Sequence, residues 1–127
     1  YKHLEHLIDA FMPRTRRNNT YCKTLSGVSD ERIKSVRTID GLREVFNNDR
    51  YHKVNFEAYS RHRTVEFRQH SGTTNFTKME NWIRFLNGLI TFAKRSSLPS
   101  RMTLEELPFL DGKQKLFFKL RTKKLAV

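Results

Sequence analysis

Cysteine is nearly missing from this 127-residue sequence: Cys22 is the only one. An intrachain disulfide is therefore excluded, and a reducing cytoplasm is the expected compartment. No apolar run approaches the roughly 20 residues that a membrane span needs. No basic start, apolar stretch and small-residue cleavage site are arranged as a signal peptide. Neither feature supports a membrane partner. Acidic residues are scarce as well. Thirteen Asp and Glu stand against 25 Lys and Arg, giving a formal charge of +12. That balance attracts phosphates, whether in nucleic acid, in a nucleotide or beside an acidic substrate. The sequence opens on Tyr1 rather than Met, inside a helical pattern, so a piece of a longer protein is expected.

Apolar material is present in quantity. Hydrophobic residues make up 37% and include ten Phe, enough for a packed core rather than a disordered tail. Leu4, Leu7, Ile8 and Phe11 recur at helical spacing before Pro13. Residues 13–37 read as a polar, basic loop carrying Cys22, which has no activating base nominated by the sequence and reads as a plain loop thiol. Thr38 or Asp40 can start a short helix over Leu42, Val45 and Phe46, stopped by Asn47, Asn48 and Asp49. Residues 51–59 alternate, with Val54, Phe56 and Ala58 on one face. Residues 64–70 alternate again, with Val65 and Phe67 on one face and Glu66, Arg68 and His70 on the other. The two runs predict an antiparallel hairpin connected through 60–63.

Ser71, Gly72 and Thr73 break the second run, with Gly72 read as the tight turn into a helix. Thr77 and Glu80 have capping-box spacing. The helix over 77–95 carries Met79, Trp82, Ile83, Phe85, Leu86, Leu89, Ile90 and Phe92, a stripe wide enough to predict deep burial against the hairpin. A second capping box is read at Thr103 and Glu106, and a basic helix from Gly112. The fold class expected is α+β. Residues 1–110 form the main domain and 111–127 a basic C-terminal helix or tail.

The chemistry concentrates in the second strand. Glu66 and Arg68 lie on one face about 7 Å apart, from a rise of about 3.3 Å per residue. A carboxylate there can hold Mg²⁺, a hard cation that prefers oxygen. A guanidinium beside it can hold a phosphoryl oxygen by paired hydrogen bonds. Spacing alone favours an ordinary solvated face carrying an ion pair.

Four blocks, in order, add to that reading. They are Phe11–Met12–Pro13–Arg14–Thr15–Arg16–Arg17 with Tyr21–Cys22–Lys23; Arg50–Tyr51–His52–Lys53–Val54–Asn55; Thr64 through Thr73; and Asn81–Trp82–Ile83–Arg84–Phe85. Together they resemble the C-terminal part of the phage- or bacterium-type amidoligase family, with Thr15 where Ser is usual. The resemblance implies a member of the superfamily of glutamine synthetase and glutamate–cysteine ligase. Such enzymes use ATP and Mg²⁺ to join a carboxylate to an amine through an acyl phosphate. It implies that Glu66 is the metal ligand and Arg68 the phosphate ligand, and that the hairpin belongs to a glutamine-synthetase-like sheet. Arg16 and Arg17 fall at the family's paired arginines, as anion contacts. Asn55 falls at its strand asparagine, as a donor on the same face. His70, on the strand face, is a candidate substrate or nucleotide contact, or a structural histidine.

The family's early acidic strand and its His-x-His strand, both tied to metal binding, have no counterpart in the sequence. The expected partners are therefore an acid and an amine substrate, together with the missing N-terminal part of the same domain. This chain alone is expected to be inactive or very weak. The sheet edge left exposed by the missing strands predicts self-association or poor solubility. The rival is a basic nucleic-acid-binding module without catalysis, supported by the charge, the Lys-rich tail and plentiful aromatics. It lacks any helix-turn-helix, zinc-finger or RNP signature.

Overall fold

The computed structural model describes residues 1–126. The chain divides into two units, one of residues 3–13 with the segment from His70 onward, the other of residues 14–69. The class is α+β, mixing helices with one small antiparallel sheet. No described helix is long and apolar enough to cross a membrane.

In the helical unit, α1 spans Glu5–Ala10 and buries Ile8, with Leu4 buried just ahead of it. Phe11, just past its end, is the hub of the core. Its ring meets Trp82 and Phe85 edge to face at 6.3 and 5.6 Å and lies 4.4 Å from Phe118. Aromatic pairs so placed add about 0.5–1.5 kcal/mol each beyond their buried area. Two histidines fasten this segment, His3 half-buried and His6 exposed. His3 Nδ1 donates to the Leu98 carbonyl at 2.7 Å, and His6 Nε2 to that of Met102 at 3.1 Å.

The long helix α5 spans Phe76–Ala93. Its N-cap is Asn75, whose Oδ1 accepts the Lys78 N–H at 3.0 Å, so the start lies ahead of the Thr77 cap expected from spacing. Asn is among the strongest caps, and the Thr73 hydroxyl accepts the Asn75 N–H at 3.0 Å to set the turn. The buried face is narrower than the apolar stripe. Trp82, Phe85 and Leu89 are buried on the α1 and C-terminal residues, whereas Phe76 and Ile83 are 71% and 64% exposed. Leu107 and Leu110 complete the core, followed by α6 over Gly112–Leu125. Helix α6 opens on a reciprocal capping box between Asp111 and Gln114, and it sends Phe118 into the core.

In the other unit, the polar loop contains an unforeseen helix, α2 over Asp30–Ser35, capped by the Ser29 hydroxyl on the Arg32 N–H. Helix α3 runs Ile39–Val45 as expected, with Thr38 as N-cap. Asn47 and Asn48 stop it in the left-handed region, at φ 57° and 52°, which asparagine tolerates better than most residues.

The hairpin pairs as expected but is far shorter. Strand β1 is Val54–Asn55 and β2 is Glu66–Phe67, antiparallel, with Val54 opposite Phe67 and Asn55 opposite Glu66. The alternation through residue 59 is misleading. Asn55 Oδ1 accepts the Glu57 N–H at 2.9 Å, an Asx turn that ends the strand, and α4 follows over Ala58–His62. The connection closes on Arg63 in the left-handed region at φ 56°. A third segment extends the pairing: Lys23 N–H bonds the Tyr51 carbonyl at 2.7 Å and Lys53 N–H the Lys23 carbonyl at 3.2 Å. On the other side, Arg68 N–H bonds the Lys53 carbonyl at 2.8 Å. The 51–55 segment is thus central, and Lys53 and Asn55 are buried along with Val54.

Gly72 departs from its expected role. It has no positive φ, and a side chain there would meet nothing within 4 Å.

Candidate functional site

The antiparallel register puts Asn55 directly across from Glu66, and side chains paired this way share a face. Asn55 Nδ2 donates to Glu66 Oε1 at 3.2 Å. Arg68, two residues along the same strand face, donates from Nη1 to the same oxygen at 2.8 Å. Three residues singled out by the sequence are therefore joined at one carboxylate oxygen. Glu66 Oε2 accepts no hydrogen bond among the described residues, and half of the side chain is exposed. Burial pushes the Glu66 carboxyl up, but hydrogen bonds from Arg68 and Asn55 and the charges of Arg68 and Arg50 outweigh it. The carboxyl is held below its ordinary value, and so ionised.

Arg16 reaches this strand from the 3₁₀ turn Arg14–Arg16. Its Nε donates to the Gln69 carbonyl at 3.0 Å, and its Nη2 to that of Arg68. The guanidinium thus clips the basic loop to the backbone that carries Arg68. Cys22 is buried below the same turn, with its thiol donating to the Arg16 carbonyl at 3.2 Å. Arg17 follows in the turn and is half-buried. His70 is built as a structural histidine. It belongs to the helical unit, where its Nδ1 donates to the Ser71 carbonyl at 2.7 Å and its ring lies 5.4 Å from that of Trp82.

Sequence reasoning missed Tyr51. Its ring carries the Arg68 guanidinium, with Cζ 5.4 Å from the centroid, and that of Arg50 at 4.8 Å. Arg68 Nε is buried without a hydrogen-bond partner among the described residues. The only available signal was the adjacency of Arg50 and Tyr51 within a family-like block.

Among the described residues, no three His, Cys, Asp or Glu converge as a metal cage. The donor set fits Mg²⁺ nonetheless, because that ion keeps several waters and is held by one or two carboxylates plus substrate phosphates. A cleft of about 350 Å³ elsewhere in this unit is lined by Thr38, Asp40, Tyr59 and Arg63. None of the residues expected at the site lines it.

No curated protein and no solved structure matches the chain. The family model described as "putative amidoligase enzyme" matches residues 1–90. That span holds all four sequence blocks and every site residue named above, and the chain belongs to this amidoligase family.

Proposed function

We propose that this chain contributes to the site of an ATP- and Mg²⁺-dependent ligase that joins a carboxylate to an amine. The observation that carries the reading is the ionised Glu66 carboxylate, bonded by Asn55 and Arg68 through one oxygen while the other is open. Asn55 and Arg68 orient the carboxylate and keep it charged, so that Oε2 is aimed as a hard oxygen ligand for Mg²⁺. Arg68 presents its remaining N–H groups to a phosphoryl oxygen and stabilises charge that develops there. Arg16 positions Arg68 through the main chain, and Arg17 supplies further polar contact to the substrates. ATP and Mg²⁺, when bound, supply the activated phosphoryl group that converts the acid to an acyl phosphate for attack by the amine. Glu66 is a single carboxylate, so the ion's remaining ligands are water, phosphate oxygens and acidic residues from outside this cluster.

The test is a titration of the chain with ATP, with and without Mg²⁺, beside Glu66→Gln and Arg68→Ala. Magnesium-dependent binding that both substitutions abolish supports the ligase. A DNA duplex at two salt concentrations is the control. Binding to DNA that fades with salt, without any ATP response, would sink the ligase reading in favour of a nucleic-acid module.

A further inference from the structure

Tyr51 is held by its main chain from both sides. Its N–H donates to Asp49 Oδ1 at 2.9 Å, and its carbonyl accepts from Lys23 at 2.7 Å. The ring of Tyr21 meets it edge to face, with centroids 5.5 Å apart at 82°. Onto this fixed ring fold two guanidinium groups, those of Arg50 and Arg68. Arg50 is tied further by Nη2 donating to Tyr51 Oη at 2.7 Å.

Two like charges gathered on one ring repel each other. The negative face of the ring offsets part of that repulsion, and Glu66 neutralises one of the two cations. One positive charge is left in surplus, on the exposed Arg50. A free arginine must give up rotamer freedom when it grips an anion. One already stacked on an aromatic ring has given up much of it beforehand.

Resting on the ligase reading, we propose that Arg50 is a second phosphate-holding residue and that Tyr51 is the positioning residue for Arg50 and Arg68 together. The pair then takes a polyphosphate chain, with Arg68 on one phosphoryl group and Arg50 on its neighbour. Neither role is visible from the Glu-x-Arg strand alone.

The experiment titrates the 127-residue chain with inorganic triphosphate in the absence of metal, and follows the arginine Nε–Hε resonances by NMR. Arg50→Gln and Tyr51→Leu are each expected to weaken triphosphate binding by about tenfold. Tyr51→Leu also moves the Arg68 resonance to the fast-exchanging position of a free arginine. Tyr51→Phe keeps the stack and loses only the Arg50 hydrogen bond, so it is expected to keep the Arg68 resonance and weaken binding by about threefold. Circular dichroism confirms the fold of each variant. Arg50 is exposed, so its substitution reads the clamp even where Tyr51→Leu fails to fold. Wild-type affinity in Arg50→Gln would overturn the proposal. So would an unmoved Arg68 resonance in folded Tyr51→Leu, or no triphosphate binding by the parent chain. Glu66→Gln separates the two readings. It removes the magnesium dependence of ATP binding, yet binds metal-free triphosphate at least as tightly as the parent, because a repelling carboxylate is gone.

Discussion

Asn55 lies directly across the antiparallel ladder from Glu66 and donates to its Oε1 at 3.2 Å, while its own Oδ1 accepts the Glu57 N–H at 2.9 Å. One buried amide therefore both orients the candidate metal ligand on β2 and terminates its own strand, β1. Asn55→Ala leaves the Glu57 N–H and one lobe of Glu66 without these partners. The expected loss is about 1–3 kcal/mol of stability, read from the urea midpoint. Asn55→Asp keeps the acceptor but sets a carboxylate against Glu66. It should be the worse of the two at neutral pH and should recover towards the alanine variant on acidification, which a pH series of the same midpoints checks.

Arg68 and Glu66 are joined at 2.8 Å, and the ligase reading gives them different tasks. Glu66→Gln preserves shape and removes the charge. It is expected to abolish the magnesium enhancement of ATP binding while leaving metal-free binding in place. Arg68→Ala should weaken ATP binding with or without magnesium, by about ten- to a hundredfold. Calorimetric titrations at matched ionic strength distinguish the two patterns. Equal behaviour of both variants would remove the division of roles.

How much of this was legible in the sequence depends on which force set each element. Thr38 and the Asn47–Asn48 pair announced α3, because caps and left-handed stops are local chemistry. The Glu66–Arg68 face and its partner Asn55 were legible from period-two spacing and the family blocks. The end of β1 was not. Alternation continues past Asn55, and only the side-chain bond to Glu57 shows that the chain has turned. The Ser29 cap of α2 was in plain view but sat among basic residues that suggested loop. The width of the buried face of α5 depends on what packs on it, and no periodicity in α5 itself reports that. The stacking of Arg68 on Tyr51 joins residues 17 positions apart and leaves no spacing signal.

Asp49 gives the stability a defined acid edge. Burial pushes its carboxyl up, but the Lys23 ammonium, the Tyr51 N–H and the nearby His52 outweigh it and hold the carboxyl below the ordinary range. A carboxyl depressed in the folded state contributes stability that is complete above its unfolded value. The contribution is lost as pH falls through the lower folded value. The window therefore lies below about pH 4. Asp49→Asn should be less stable than the parent at pH 7, and the difference between them should shrink as pH falls through that window. Chemical denaturation at stepped pH measures it, and a constant difference would mean that the Lys23 pairing contributes nothing.

Gly88 and Gly72 make a matched pair of opposite sign. Gly88 sits inside α5, where replacing glycine by alanine ordinarily gains about 1 kcal/mol of helix propensity. Here an added Cβ would lie 3.0 Å from Phe109 Cδ2 and 3.1 Å from the Phe109 carbonyl oxygen. The ring can rotate away, but the carbonyl belongs to backbone pinned between the buried Leu107 and Leu110. Overpacking of this kind costs about 1–3 kcal/mol, so Gly88→Ala is expected to destabilise on balance, by about 1 kcal/mol. At Gly72 nothing lies within 4 Å of the added carbon, and φ is not positive. Gly72→Ala should therefore be neutral or stabilising by up to about 1 kcal/mol, through the restricted unfolded chain. Thermal melts of the two variants side by side test both. If Gly88→Ala proves the more stable, the approach of Phe109 to α5 is looser than its 3.0 Å contact implies.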